Sequence, residues 1–164
     1  MNSKQVENIW NQGMDLKKSG EYDKAVEILT IAINGDEENN KDALLQHLYW
    51  TRAEAYTELG KFNLALSDLA KAYKLCPDDH LRDVMLISRA DVFTRMCEYD
   101  LAIADFTEVI NNCLFDYEKS NHKDNKFLIA LYKDRADVFT KKGCIDLAEV
   151  DKLEVLKMKN CSIK

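Results

Sequence analysis

The sequence predicts an all-α chain, a right-handed superhelical stack of four antiparallel helix pairs forming a single domain over residues 1–164. Three observations predict it. The first is a ruler that recurs four times. Small residues stand at Gly13, Ala53, Ala90 and Ala136, and three positions later come Leu16, Tyr56, Phe93 and Phe139. At seven come Gly20, Gly60, Cys97 and Gly143, at nine Tyr22, Phe62, Tyr99 and Ile145, and at twelve Ala25, Ala65, Ala102 and Ala148. The second is helical spacing of the apolar residues within each repeat. The third is composition: 46% hydrophobic residues suffice for a core, while one Pro and five Gly are too few for the turns of an all-β fold.

Helices are expected near 3–19, 22–34, 41–59, 62–75, 79–95, 99–113, 125–142 and 145–159, grouped in repeats at approximately 3–34, 41–75, 79–113 and 125–159. In the first helix of a pair, Tyr49, Ala53 and Tyr56 lie on one face, as do Leu86, Ala90 and Phe93, and Tyr132, Ala136 and Phe139. The small residue lets a second helix come close. Gly at position seven ends the first helix because it tolerates a left-handed cap, and Cys97 holds that position in the third repeat. The second helix carries Ala25, Leu29 and Ala32, or Ala65, Leu69 and Ala72, or Ala102, Phe106 and Val109. A turn this short makes the two helices antiparallel neighbours. Asp78 or Asp79, just after Pro77, is placed to cap the helix at 79–95.

These slots resemble the tetratricopeptide repeat (TPR) family, with Gly13, Tyr56, Ala25, Phe106 and Pro77 filling family positions, and the resemblance covers nearly all of the chain. It implies a protein-binding scaffold. The repeat starts are 40, 37 and 46 residues apart, longer than the usual TPR period of about 34. The surplus falls at 35–42, 77–83 and 111–126, where it should lengthen helix ends and loops.

The net charge of −6 argues against nucleic acid as a partner, since a phosphate backbone requires a basic footprint. No run of about 18 apolar residues predicts a membrane span. The N-terminus, Met-Asn-Ser-Lys-Gln-Val-Glu, has no apolar signal core. Five cysteines, an odd number with no CxxC, read as reduced thiols of a cytoplasmic protein. His47, His80 and His122 lie in separate repeats without metal-ligand spacing, and no nucleophile elbow or phosphate loop appears. The expectation is a non-enzyme with no metal and no cofactor.

Two sets of residues stand out. Arg52, Arg89 and Arg135 each precede the small residue, and Asp68, Asp105 and Asp151 follow sixteen positions later. In the first repeat both are missing, the slots holding Gln12 and Ile28. Residues that appear and vanish together suggest structural ion pairs, and Arg suits planar, bidentate pairing. The second set projects about 100° from the core side of each first helix. It comprises Trp10, Met14, Trp50, Glu54, Ile87, Asp91, Lys133 and Asp137, an expected peptide-binding groove with aromatic anchors beside acids. The partner expected is a protein or peptide, basic with apolar anchors. TPR domains that hold the acidic tails of heat-shock chaperones use a cationic clamp; here those slots hold Trp10, Met14, Thr51, Val84 and Ser88, or Trp50, Glu54, Ser88, Ala130 and Asp134, so such a tail is excluded.

The fourth repeat carries Lys152 where the others carry Leu29, Leu69 and Phe106, which fits the polar outer face of a terminal repeat. Val150, Leu153, Val155, Leu156 and Met158 nonetheless exceed what one buried face needs, which leaves open a homodimer through the C-terminal helix. A small chaperone that holds a secreted partner is the alternative to the scaffold reading.

Overall fold

The computed structural model describes residues 3–37, 42–119 and 125–161, and these form eight α-helices and no strand. They are α1 (Ser3–Lys18), α2 (Tyr22–Glu37), α3 (Asp42–Glu58), α4 (Phe62–Leu75), α5 (Asp79–Arg95), α6 (Tyr99–Lys119), α7 (Lys126–Lys142) and α8 (Ile145–Cys161). The helices pack pairwise as TPR-like repeats. Part of the surplus length is helical: α2 runs on to Glu37 and α6 to Lys119. The start expected at residue 41 and the middle of the inserts at 35–42 and 111–126 lie outside the described residues. Asp78 is the cap of α5, its Oδ1 accepting the Leu81 N–H at 3.0 Å.

The chain divides into two compact units, Met1–Ser88 and Arg89–Lys164. In the first, α1 packs on α2 and α3, α2 on α3, and α3 on α4, around Val6, Leu29, Ile33, Leu48, Tyr49 and Met85. Gly13 is needed here, because a Cβ on it would lie 2.7 Å from Leu29 Cδ2. In the second, α7 packs on α6 and α8, with Phe106, Val109, Leu131, Ala136 and Val155 buried.

The ruler has a hydrogen-bond meaning. In each hairpin the residue at position seven has positive φ: 81° at Gly20, 69° at Gly60, 62° at Cys97 and 86° at Gly143. The N–H after it reaches back to the large apolar residue at position three, Glu21 to Leu16 O at 2.9 Å, Lys61 to Tyr56 O at 2.8 Å, Glu98 to Phe93 O at 2.9 Å and Cys144 to Phe139 O at 2.9 Å. This closes the first helix with a Schellman motif. The alanine at twelve then donates to the residue at eight, opening the second helix, as Ala102 does to Glu98 O at 3.2 Å. All four alanines are fully buried.

Cys97 is the one described non-glycine residue with positive φ. A side chain there suffers the left-handed penalty that Gly avoids. Cys97→Gly is therefore expected to stabilise the fold by about 1 kcal/mol, read as a higher urea midpoint. An unchanged or lower midpoint would show that the thiol contributes more than the strain removes.

Leu29, Leu69 and Phe106 are 0%, 2% and 5% exposed, whereas Lys152 in the matching slot of α8 is exposed and pairs with Glu149 at 2.8 Å.

Candidate functional site

The three Arg–Asp sets make bidentate bonds between the two helices of a hairpin. Arg52 Nε and Nη2 donate to Asp68 Oδ2 and Oδ1 at 2.7 and 2.9 Å. Arg89 does the same with Asp105 at 2.8 and 2.7 Å, and Arg135 with Asp151 at 2.9 and 2.7 Å. Aromatic rings flank the guanidinium: Tyr49 and Tyr56 lie 5.5 and 5.6 Å from Arg52, and Tyr132 and Phe139 lie 5.4 and 5.8 Å from Arg135. Burial opposes the charge on Arg52, but the hydrogen bond and charge of Asp68 outweigh it and raise its pKa.

The remaining Nη1 reaches the preceding helix. Arg52 donates to Thr30 Oγ1 at 2.9 Å, and Arg135 to Thr107 Oγ1 at 2.9 Å. Each hydroxyl in turn donates to the carbonyl four residues back, Val26 O and Ile103 O, both at 2.7 Å. A hydroxyl whose proton is committed to its own helix offers only lone pairs outward, so it is a fixed acceptor.

The first unit uses the same device for tryptophan. Trp10 Nε1 of α1 donates to Thr51 Oγ1 of α3 at 2.9 Å, and Trp50 Nε1 of α3 donates to Ser88 Oγ of α5 at 3.0 Å. Thr51 and Ser88 donate back to His47 O and Val84 O at 2.8 and 3.2 Å. Both rings are partly buried and pack against the core of the first unit, and Trp10 also stacks on His47 with centroids 5.0 Å apart. The tryptophans are thus fixed in helix–helix contacts, each residue remaining partly exposed. Sequence reading missed the hydroxyls. The available signal was that Trp10 and Trp50 are each matched by Thr51 or Ser88 in one shared slot of the next repeat.

The other expected groove residues are placed as follows. Met14 and Ile87 are half-buried, and Glu54 pairs with Lys17 of α1. Asp91, Lys133 and Asp137 belong to the second unit and are exposed, with Asp91 held by Arg95 at 2.9 Å. Glu54 and Asp91 are therefore acids already paired with cations. Among the described residues, no group of three or more His, Cys, Asp or Glu is arranged to hold a metal ion, and no helix is long and apolar enough to cross a membrane.

His47 should make the first unit sensitive to acid. Burial lowers its pKa, its Nδ1 is buried without a partner, and its Nε2 lies 3.5 Å from the amide nitrogen of Gln46. In the unfolded chain its pKa returns to about 6.5. The folded value is the lower one, so the fold prefers neutral imidazole. Stability is fully present above the unfolded pKa and is lost as pH falls from there through the folded pKa. The urea midpoint should fall over that window, and His47→Leu should remove that part of the pH dependence. A wild-type profile unchanged by the substitution would refute the assignment.

The tetratricopeptide repeat family profile matches residues 46–79, which span α3 and α4. No curated protein sequence matches. Among solved structures, the chain is similar to a Podosopora anserina putative kinesin light chain with nearly identical TPR-like repeats, at TM-score 0.80 and 13% identity over 98% of this chain and 77% of that one. A point variant of that same protein gives 0.79 at the same identity and coverage. BtubC (BKLC) from P. vanneervenii gives 0.74 at 18% identity, over 94% of this chain and 62% of that chain. At such identities the likeness is one of fold. TPR repeats generally mediate protein–protein interactions. Residues 46–79 thus carry a recognisable tetratricopeptide repeat, and the pairwise packing of the eight helices gives the chain a TPR-like fold.

Proposed function

We propose that the chain is a non-catalytic scaffold that binds a peptide or protein segment on the first-helix side of its first unit, where Trp10, Met14, His47, Trp50 and Glu54 stand. The observation that carries this reading is the pair of indoles held by hydroxyl acceptors at 2.9 and 3.0 Å. Rings fixed before binding lose little freedom on contact, which is what makes aromatic anchors effective. The segment is proposed to carry apolar side chains for these rings. Basic residues in it are favoured by the chain's net charge of −6. The unbridged cysteines Cys76, Cys97 and Cys144 support a reducing, cytoplasmic setting.

The chain has two tryptophans, so emission excited beyond the absorption of its seven tyrosines reports on this surface. Peptides pairing Phe or Leu with Lys, and segments recovered by pull-down, should shift that emission. Single-tryptophan variants Trp10→Phe and Trp50→Phe then assign the shift to one ring. Trp50→Ala should speed dissociation more than it slows association. A recovered segment that leaves emission unchanged, and binds Trp50→Ala as it binds wild type, would place the binding surface elsewhere.

A further inference from the structure

α8 is apolar on two opposite sides. Ala148 and Val155 face the interior of the second unit, while Ile145, Leu147, Val150, Leu153 and Leu156 are 49–54% exposed. Four of them, Ile145, Val150, Leu153 and Leu156, fall within about 140° of one another around the helix and form a patch, unlike the scattered exposure of ordinary surfaces. Earlier repeats show what such a side accommodates. Counted from the alanine that opens each second helix, Leu156 stands in the slot of Ile33 and Ile110, each 2% exposed. Leu153 stands in the slot of Thr30 and Thr107, which receive Arg52 and Arg135. In α2 and α6 this side is covered by α3 and α7 respectively. The shape therefore suits a helix.

The charges select which helix. Asp146, Val150, Leu153 and Lys157 are four, three and four residues apart and form one stripe along the exposed side. We propose that two copies of the chain associate through α8 in antiparallel register, about a two-fold axis midway between Val150 and Leu153. That register sets Val150 of each copy against Leu153 of the other, and Asp146 of each against Lys157 of the other. A parallel pairing would oppose Asp146 to Asp146 and Lys157 to Lys157. Lys157 is already 2.5 Å from Glu154 on its own helix, but that pair lies at the surface and is readily exchanged. One helix side per copy is small for a stable interface, so the dimer is weak and concentration-dependent. This contact is independent of the segment-binding surface on α1 and α3.

Sedimentation equilibrium of the full chain tests it. The average mass of wild type should rise with concentration toward two chains. Leu153→Glu should hold the mass at one chain with unchanged helical circular dichroism. Asp146→Lys and Lys157→Asp should each weaken association, since each homodimer then sets like charges together twice. An equimolar mixture of those two variants should associate again, because both contacts become opposite in the mixed dimer. Wild type that stays monomeric at every concentration overturns the proposal and leaves this side of α8 to a different protein. Charge variants that associate as wild type does, with nothing gained on mixing, overturn the register. Segment binding by Leu153→Glu reads the α1–α3 surface separately, so either proposal can fail alone.

Discussion

Asp151→Ala is expected to destabilise the fold by about 3–5 kcal/mol, the range for stranding one member of a buried ion pair. The Asp151 side chain is 2% exposed and that of Arg135 15%, so the guanidinium would keep its burial while losing both carboxylate bonds. Thr107 would remain as a neutral acceptor and would not balance the charge. Asp68→Ala should behave alike, since Asp68 and Arg52 are 4% and 11% exposed. Arg89→Ala should cost less, because its side chain is 38% exposed and water already shares its charge. Replacing both partners, as in Arg135→Met with Asp151→Leu, should recover most of the loss, because buried pairs scarcely outperform apolar groups of similar volume. Urea unfolding monitored by circular dichroism measures all of these. If Asp151→Ala costs no more than an exposed pair, about 0–1 kcal/mol, the braces are ornaments on a fold held by its core.

Trp10→Ala is expected to cost about 3 kcal/mol, at the lower end for removing a large aromatic, because the ring is only partly buried. Three contacts disappear together: packing on the core of the first unit, the stack on His47 and the bond to Thr51. Trp10→Phe keeps most of the packing and should cost about 1 kcal/mol, the net worth of one hydrogen bond. Thr51→Val removes the acceptor instead. If the rung is a true pair, the double variant should cost less than the sum of the singles. Strict additivity would mean that the indole and the hydroxyl act independently despite their 2.9 Å separation.

Much of this was legible in the sequence because the ruler encodes backbone bonds. A residue at position seven must adopt positive φ and the alanine at twelve must fit against a closing turn, so few side chains are tolerated there. The Arg–Asp sets were legible for a different reason: charge is conspicuous, and both members are missing from the first repeat. The hydroxyl acceptors were harder. Thr and Ser occur throughout the chain and bond to their own helices, so Thr30, Thr51, Ser88 and Thr107 look ordinary until the donor is seen. The Lys17–Glu54 pair joins residues 37 positions apart in different repeats, and no local pattern announces it. The long ends of α2 and α6 were underestimated because polar residues that suit loops also suit an exposed helical turn.

The bond that closes each hairpin also governs where the chain tolerates changes of length. Every Arg–Asp brace spans sixteen positions, and within that span the first helix ends, the turn reverses and the second helix begins. One residue inserted there would rotate the second helix by about 100° and carry its Asp away from the Arg. The repeat starts differ in spacing, 40, 37 and 46 residues, yet the variation lies wholly outside the braced spans. Natural insertions, engineered tags and grafted loops should therefore be accepted between the hairpins, near 35–42 and 111–126, and rejected between Arg89 and Asp105.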